Sequence, residues 1–385
     1  MTIGFDGSRA FGEDRTGTEN YSYQLLKALA KIDTENTYLI YIKSFIVDAA
    51  ASLMKLPENF KVIEIPWIRL WTQGGLALQT FKDQLDVLFV PAHTLPIIRR
   101  PGLKTMVTIH DLGSEYLPQM HQLKQQLYLS FIQRVQLRGA TKIITVSNAT
   151  KKDLVKRVGI DSNKVAVVYE GYDSDLFKPI KGELLVNRLR YYGLVPGRYF
   201  LFVGTVQPRK NLERVVKAFS VHLRGVDLPK PRFHLGGEQK LVIAGSKGWL
   251  SSEIYKLPKK LGIEDRVKFL GYVPEKDLPA LYSGAIALVF PSLFEGFGLP
   301  ILEAQACGCP VLTSNISSMP EVAGPPTGGG AILVNPYSIE DIIRGMREIG
   351  EIRMRDRLRK AGFENIKRFS WEKCAKQTLE VFANL

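Results

Sequence analysis

The sequence predicts an α/β protein made of two doubly wound halves, each a largely parallel sheet covered by helices on both faces. Three observations predict it. Short β-rich runs alternate with helix-period segments, the alternation starts afresh after about residue 180, and 385 residues are too many for one ordinary core.

In the first half "TIGFD" (2–6) reads as a strand. A helix follows in "ENYSYQLLKALAKI", where Tyr21, Leu25, Leu26 and Leu29 share one face. "YLIYIK", "KVIEI", "VLFVP", "TMVTIH", "KIITVS" and "KVAVVY" are further strands, most of them separated by loops or helices. In the second half the strands are "RYFLFVG" (198–204), "LVIAG" (241–245), "VKFLGYV" (267–273), "AIALVF" (285–290), "PVLTS" (310–314) and "AILV" (331–334). The boundary falls in the polar segment "DLFKPIKGELLVNR", which divides the chain into residues 1–182 and 183–366. Residues 367–385 read as a closing helix expected to pack back on the first half. A ligand is expected in the crevice at the carboxyl ends of the strands.

Composition narrows the function classes. Hydrophobic residues at 45% with charged residues at 23% describe a folded globular chain rather than a disordered one. The start, Met1-Thr2-Ile3-Gly4-Phe5-Asp6, has no basic region followed by an apolar core, and the greasiest window, 38–54, contains Lys43 and Asp48. A cytoplasmic protein is therefore expected. Three cysteines, Cys307, Cys309 and Cys374, suit neither a disulfide framework nor a zinc knuckle and read as packing residues.

The net charge is +14, and much of it is concentrated. Between Arg99 and Arg157 eleven Lys or Arg face three acids, Asp111, Glu115 and Asp153. This stretch is either solvated helix surface or a partner-binding face. With "PWIRLWTQGGLALQTF" (66–81), which mixes Trp67, Trp71 and Arg69 with apolar residues, it predicts attraction to an anionic membrane surface; core packing is the plainer reading of the tryptophans.

The chemistry concentrates in "PSLFEGFGLPILEAQACGCPV" (291–311). A strand ends before it, Pro300 suits a first helical position, and Gly308 suits the residue past the helix end. Glu303 then lies in the first turn of a helix whose amino end, with Gly296 and Gly298 beside it, offers N–H groups to an anion such as phosphate. Carboxylates would repel that anion but clasp the hydroxyl pairs of sugars. Glu295 and Glu303 therefore suggest two sugars with a diphosphate between them. In "FLFVGTVQPRKNLERVVKAF" a strand ends at Gly204 and Asn211 looks like a helix cap. Arg209 and Lys210 stand at that cap; alone they would be surface charge, but beside the carboxylate segment they suit a diphosphate.

Together "EGFGLPILEA", "GTVQPRKN", "LVIAGSKGW", "ITVSNATKKDL" and "VVYEGYDSDLFKP" resemble the retaining glycosyltransferases of family 4, over most of the chain. The closest flavour is that of bacterial mannosyltransferases of cell-surface polysaccharide assembly. The resemblance implies the GT-B fold, two Rossmann-like domains facing each other across a cleft, with the acceptor on the N-terminal side. It implies that Glu303 binds the ribose, while Glu295 and the amides around Phe297, Gly298 and Leu299 hold sugar and phosphate. Arg209 and Lys210 match the diphosphate pair, and His110 in "VTIHD" matches a histidine that projects toward the transferred sugar. Gly17 falls where the family places a loop against the diphosphate, although "TGTENY" departs from the commoner glycine-rich form. The base is expected near Tyr272 and Val273. The donor is GDP-mannose by resemblance, or else a UDP-sugar, and the acceptor a saccharide or lipid-linked saccharide. Retention with the β-phosphate taking the acceptor's proton, and no cofactor, metal or nucleic acid, complete the expectation.

Plainer readings stand beside these. An isolated His110 also fits a buried, hydrogen-bonded histidine, and His93 in "PAHTLP" keeps that reading. "DSD" (173–175) has the pattern of a metal-binding D-x-D, but lies far along the chain from the phosphate elements and reads as a turn and cap. A sugar-nucleotide epimerase of the same architecture and a noncatalytic basic membrane-binding scaffold are the competing classes. A nicotinamide dehydrogenase is disfavoured because no G-x-G-x-x-G follows the first strand.

Overall fold

The computed structural model describes residues 1–12, 17–43, 55–67, 69–112, 135–225, 239–325 and 329–385. Three sequence expectations reach outside them: part of the apolar window (44–54), Ile68, and Glu115, Lys124 and Arg134 of the basic stretch.

The first sheet holds β1 (Thr2–Asp6), β2 (Thr37–Lys43), β3 (Phe60–Ile65), β4 (Val87–Val90), β5 (Lys104–Ile109), β6 (Lys142–Thr145) and β7 (Val165–Val167). Its order is β3-β2-β1-β4-β5-β6-β7, and every pairing is parallel. Parallel strands need crossovers, and these supply helices on the faces. They include α1 (Gly17–Ile32), α2 (Ala77–Lys82), which continues a π-helical turn at Thr72–Leu76, and α3 (Asn148–Asp153). Covered on both sides, the central strands carry runs of buried residues rather than an alternation, and all four residues of β4 are buried. Leu88, Val90, Val107, Ile109 and Ile143 belong to one core cluster.

The second sheet holds β8 (Tyr199–Val203), β9 (Lys240–Ala244), β10 (Val267–Gly271), β11 (Ala287–Phe290), β12 (Val311–Ser314) and β13 (Ala331–Val334), in the order β10-β9-β8-β11-β12-β13, again all parallel. Its helices are α4 (Gly182–Tyr191), α5 (Leu212–Arg224), α6 (Ser252–Lys260), α7 (Leu278–Gly284), α8 (Leu299–Ala306), α9 (Met319–Ala323), α10 (Ile339–Gly350) and α11 (Ile352–Ile366). Every residue of β8 and β11 is buried.

In each sheet the strand order reverses once, between β1 and β4 and between β8 and β11. Loops leaving the carboxyl ends of two such strands diverge to opposite faces, which opens a crevice for a ligand. The segments picked out in the sequence follow these strands: 204–211 after β8, 291–298 after β11, and Asp6 to Gly12 after β1.

The chain divides into one compact unit of Met1–Gly171 with Ser370–Leu385 and a second of Tyr172–Phe369. The crossings therefore lie at 171/172 and 369/370, where the sequence division placed them at 182/183 and 366/367. The last helix, α12 (Trp371–Ala383), packs against α1 within the first unit. Ser370 caps it by accepting from the Lys373 N–H at 3.1 Å. Gly171 must be glycine here, since a Cβ at that position would stand 2.2 Å from the Trp371 nitrogen. Among the described residues no helix is long and apolar enough to cross a membrane.

Candidate active site

The second unit gathers the charged segments at its switch point. After β8 the chain makes one 3-10 turn, Pro208–Lys210, and then enters α5. Pro208 at the start of that turn fixes its geometry, and Arg209 and Lys210 converge on a single carboxylate. The Arg209 Nη1 donates to Glu295 Oε2 at 2.7 Å and to the Phe294 carbonyl at 3.2 Å. The Lys210 Nζ donates to Glu295 Oε1 at 2.6 Å and lies 4.8 Å from the centre of the Phe290 ring. Lys210 and Glu295 are both buried. Burial pushes the Glu295 carboxyl up, yet Lys210 and Arg209 outweigh it and hold the group below its ordinary value. One anion between two cations leaves a net positive charge.

Asn211 departs from the sequence expectation. It stands at the cap position of α5 in the left-handed region (φ 61°) and makes no capping bond. Its side-chain amide instead donates to the carbonyls of Pro291 at 3.0 Å and Pro336 at 2.7 Å, tying the cationic turn to the loop after β11. Asparagine tolerates this backbone, so the strained position is usable for cross-linking two loops.

Glu303 also needs correction. The helix α8 begins at Leu299, with Pro300 following and Gly298 before it at φ 112°. Glu303 therefore falls in the second turn, because the helix starts at Leu299, one residue earlier than Pro300 suggested. It does not sit among the amides of the helix end. Its Oε2 accepts from the Tyr282 hydroxyl at 2.7 Å. Burial raises its pKa to about 7, with Tyr282 opposing the rise and Glu275 adding to it. Phe297 is buried and packs edge-on against Phe369 at 5.8 Å. Gly296, Gly298 and Leu299 complete the turn into the helix, and the Ile301 N–H closes back on the Gly298 carbonyl at 2.9 Å. Tyr272 follows β10 with its side chain exposed, whereas Val273 is buried.

Two serines missed in the sequence set this loop. The Ser317 hydroxyl donates to the Glu295 carbonyl at 2.7 Å and accepts from the Glu295 N–H at 3.3 Å. The Ser318 hydroxyl donates to the Phe297 carbonyl at 2.7 Å, with the Glu295 carbonyl 3.0 Å away. Ser314 similarly bonds the Ser292 carbonyl. The available signal was "SNISSMP", a serine cluster ahead of a helix-starting proline directly after a strand.

In the first unit His110 directly follows β5 and sits among hydrogen-bond partners. Its Nδ1 lies 3.2 Å from Glu170 Oε1 and its Nε2 lies 3.0 Å from the Pro91 carbonyl. Burial pulls the imidazole pKa down, but the Glu170 carboxylate more than offsets it and the net direction is up. Facing two acceptors, the ring is suited to donate from both nitrogens. Tyr21 packs edge-on against it at 4.6 Å and His93 at 5.4 Å. Desolvation and a second imidazole, that of His110, lower the pKa of the half-buried His93 to about 4. Gly17 opens α1. Near the β1/β4 switch point a cavity of about 480 Å³ is lined by residues including Asp6, Arg9, Glu19, Lys43, Trp71 and Gln73. The Trp71 indole N–H donates to buried Asp6 at 3.3 Å, and Arg9 pairs with Glu19 at 2.9 Å.

The remaining expectations resolve locally. In "DSD" the Asp173 carboxylate accepts from the N–H groups of Asp175 (3.0 Å) and Leu176 (3.1 Å), which makes it a turn. Among the described residues no three His, Cys, Asp or Glu side chains group as metal ligands. Several cations of the basic stretch are spent on backbone carbonyls: Arg99 on Pro96, Arg100 on Asp83, Lys104 on Leu385, Lys142 on Asn163 and Lys151 on Val165.

Residues 15–176 match the family model of Glycosyltransferase Family 4, and residues 195–367 match that of Glycosyl transferases group 1. The chain is 28% identical over 385 residues to the O-antigen chain mannosyltransferase B of Escherichia coli, covering 95% of this chain and 96% of that one. It is 28% identical over 281 residues to the O-antigen chain mannosyltransferase RfbU of Salmonella typhimurium, covering 71% and 69% of the two chains. In three dimensions it is similar to sucrose-phosphate synthase from Thermosynechococcus elongatus, with a TM-score of 0.76 at 18% identity over 100% of this chain and 98% of the other. Anabaena HepE, in a complex with UDP and glucose, gives a TM-score of 0.75 at 18% identity over 100% of both chains. With a family 4 region preceding a group 1 region and two Rossmann-like sheets, the chain belongs to the glycosyltransferases of these families and has the GT-B fold.

Proposed function

We propose that this glycosyltransferase moves a hexose, mannose by preference, from a nucleoside diphosphate sugar to a saccharide or lipid-linked saccharide, with retained configuration and without a metal ion. The observation that carries the reading is the convergence of Arg209 and Lys210 on Glu295 at the β8/β11 switch point. Two fixed cations with a surplus positive charge suit a diphosphate leaving group, and they do the work a divalent metal would otherwise do. The O-antigen mannosyltransferases that resemble the chain along most of its length support mannose, and GDP is our first choice of nucleotide. A UDP-sugar is the second choice of donor.

In this reading the start of α8 at Gly298 and Leu299, with the loop at Gly296 and Phe297, receives the phosphate. Glu303 accepts from the ribose hydroxyls, and the base lies along Tyr272 and Val273. Both Glu295 oxygens already hold cations, so its first task is to orient them; a carboxylate has about four acceptor positions, which leaves room for sugar hydroxyls. As the anomeric carbon loses the phosphate, positive charge develops on the sugar and negative charge on the diphosphate. Arg209 and Lys210 stabilise the latter more in the transition state than in the bound donor. The acceptor attacks from the same face, and the β-phosphate oxygen takes its proton. Neither carboxylate flanks the bond as a glycosidase nucleophile would. His110, donating to Glu170 and Pro91, positions the first unit's strand ends for the transferred sugar. The polar, tryptophan-lined cavity beside Asp6 takes the acceptor, and Gly17 the diphosphate edge. We extend the reading to a cytoplasmic protein peripheral on an anionic membrane, without nucleic acid.

Calorimetry with GDP and UDP tests the site. Lys210→Ala removes a charged hydrogen bond of about 1.5–3 kcal/mol and should weaken nucleotide binding more than tenfold. Unchanged affinity overturns the assignment. Glucosyl and mannosyl donors then separate the two donor readings, and turnover without any acceptor would favour an epimerase. His110→Ala should reduce transfer more than nucleotide affinity.

A further inference from the structure

Large apolar side chains stand exposed along one segment of the first unit. Trp67, Leu70, Leu78, Phe81, Ile97 and Ile98 are between 42% and 78% exposed. Helical spacing places Gly74, Leu78 and Phe81 in one stripe along the π-turn and α2, and Leu70 stands just ahead of the turn. Trp67 fills the gap at Gly74, where a Cβ would come within 2.4 Å of the indole. The loop carrying Ile97 and Ile98 is fastened alongside. Gln73 donates to the Leu95 carbonyl at 2.9 Å and accepts from the Ile97 N–H at 2.8 Å, and the Arg100 N–H donates to Thr80 at 3.1 Å. The six side chains therefore form one patch rather than scattered exposures, which monomeric proteins carry without consequence.

Three features say what covers it. Arg69 and Lys82, both exposed, flank the stripe at its two ends, which complements a negatively charged surface. Leu70 is held in the left-handed region (φ 53°) with its side chain 78% in solvent, a costly arrangement for a branched residue unless the exposed position is used. The same segment turns its other face inward. Leu70, Trp71, Thr72 and Gln73 line the cavity beside Asp6, so patch and cavity are continuous.

We propose that this patch is the membrane-docking surface: Trp67, Leu78, Phe81 and Ile98 enter the headgroup region of an anionic phospholipid bilayer, and Arg69 and Lys82 meet its phosphates. Docking there brings the acceptor cavity to the bilayer surface, where a saccharide on a lipid carrier would present its sugar. The inference rests on the reading of the protein as peripheral on an anionic membrane.

The test is cosedimentation of the full chain with phosphatidylcholine vesicles with or without phosphatidylglycerol. The wild type should bind the anionic vesicles, less so as salt rises. Leu78→Ser/Phe81→Ser/Ile98→Ser should lose about tenfold or more of that partition, while keeping nucleotide affinity and thermal stability. Arg69→Gln/Lys82→Gln should flatten the salt dependence. If the wild type binds and the triple variant binds equally, the patch is not the docking surface. If the wild type fails to bind any vesicle, the peripheral reading itself falls and the inference with it. Concentration-dependent dimerisation that the triple variant abolishes, without vesicle binding, would reassign the patch to self-association.

Discussion

Glu303→Gln should make the ligand-free protein more stable above neutral pH while making it a poorer binder of nucleotide. Glu303 is an acid whose pKa in the folded chain rises from 4.5 to about 7, chiefly through burial. The sign follows from proton binding. Between pH 4.5 and 7 the folded chain holds this proton and the unfolded chain releases it, so stability falls with rising pH across that window and is constant above it. Each pH unit is worth about 1.4 kcal/mol, which sets a ceiling of about 3.5 kcal/mol. Glu303 keeps part of its surface in solvent, so about 1–2 kcal/mol is the working figure. Glutamine keeps the oxygen that accepts from Tyr282 but carries no charge to desolvate. Urea denaturation of both proteins at several pH values is the assay. The midpoints should coincide near pH 5 and separate by roughly 0.5–1 M near pH 8, for an m-value of about 2 kcal/mol/M. A difference that stays flat across pH would refute the burial argument. Calorimetry on the same pair should show nucleoside diphosphate binding strengthening through pH 7 in the wild type and losing that dependence in Glu303→Gln. A carboxylate held at a cost in the empty site is what ribose hydroxyls would relieve.

Two further outcomes follow from the loop and its cations. Glu295→Gln should lower both nucleoside diphosphate affinity, read by calorimetry, and sugar transfer, because the carboxylate keeps Arg209 and Lys210 aimed; a severalfold higher affinity at low salt would mean that it competes for the cations more than it organises them. Ser318→Ala removes the hydroxyl that holds the Phe297 and Glu295 carbonyls and should cost about 1–2 kcal/mol in denaturation and raise the KM for donor; an unchanged KM would leave the serine a purely structural role.

Much of the fold was legible because parallel strands covered on both faces must be apolar throughout. "YFLFV", "ALVF" and "VLFV" could only be buried, and each lies in a strand. The unit boundary was less legible, since polarity near 182 marks the solvent-facing helix α4, whereas the crossing depends on Gly171 meeting the backbone at Trp371. Site residues with a charge stood out. Those acting through geometry did not: Asn211 has the composition of a cap and works as a loop cross-link, and Ser317 and Ser318 gain meaning only when β12 brings them beside the loop after β11. The first turn was assigned to Glu303 because Pro300 marks a helix start within a residue or so. Its partner Tyr282 lies on another helix, and no spacing rule connects them.

The pairing of Glu295 with both cations explains how a site can be positively charged and still fold. Lys210 is buried, and a buried ammonium without an anion would tend to lose its proton. Glu295 keeps it protonated in the empty site, and in turn the two cations keep Glu295 ionised against its own burial. Opposite charges a few ångströms apart attract by about 4 kcal/mol at an effective dielectric of 20, so an arriving diphosphate finds donors already aimed and charged, but partly shared. It must gain more from Arg209 and Lys210 than it loses by approaching Glu295. That balance favours the species carrying the most negative charge on its phosphates, which is the departing diphosphate rather than the intact sugar nucleotide. Repulsion from Glu295 grows with that same charge, so the carboxylate helps only by keeping Arg209 and Lys210 aimed, and it is the attraction of those two cations that stabilises the transition state more than the ground state.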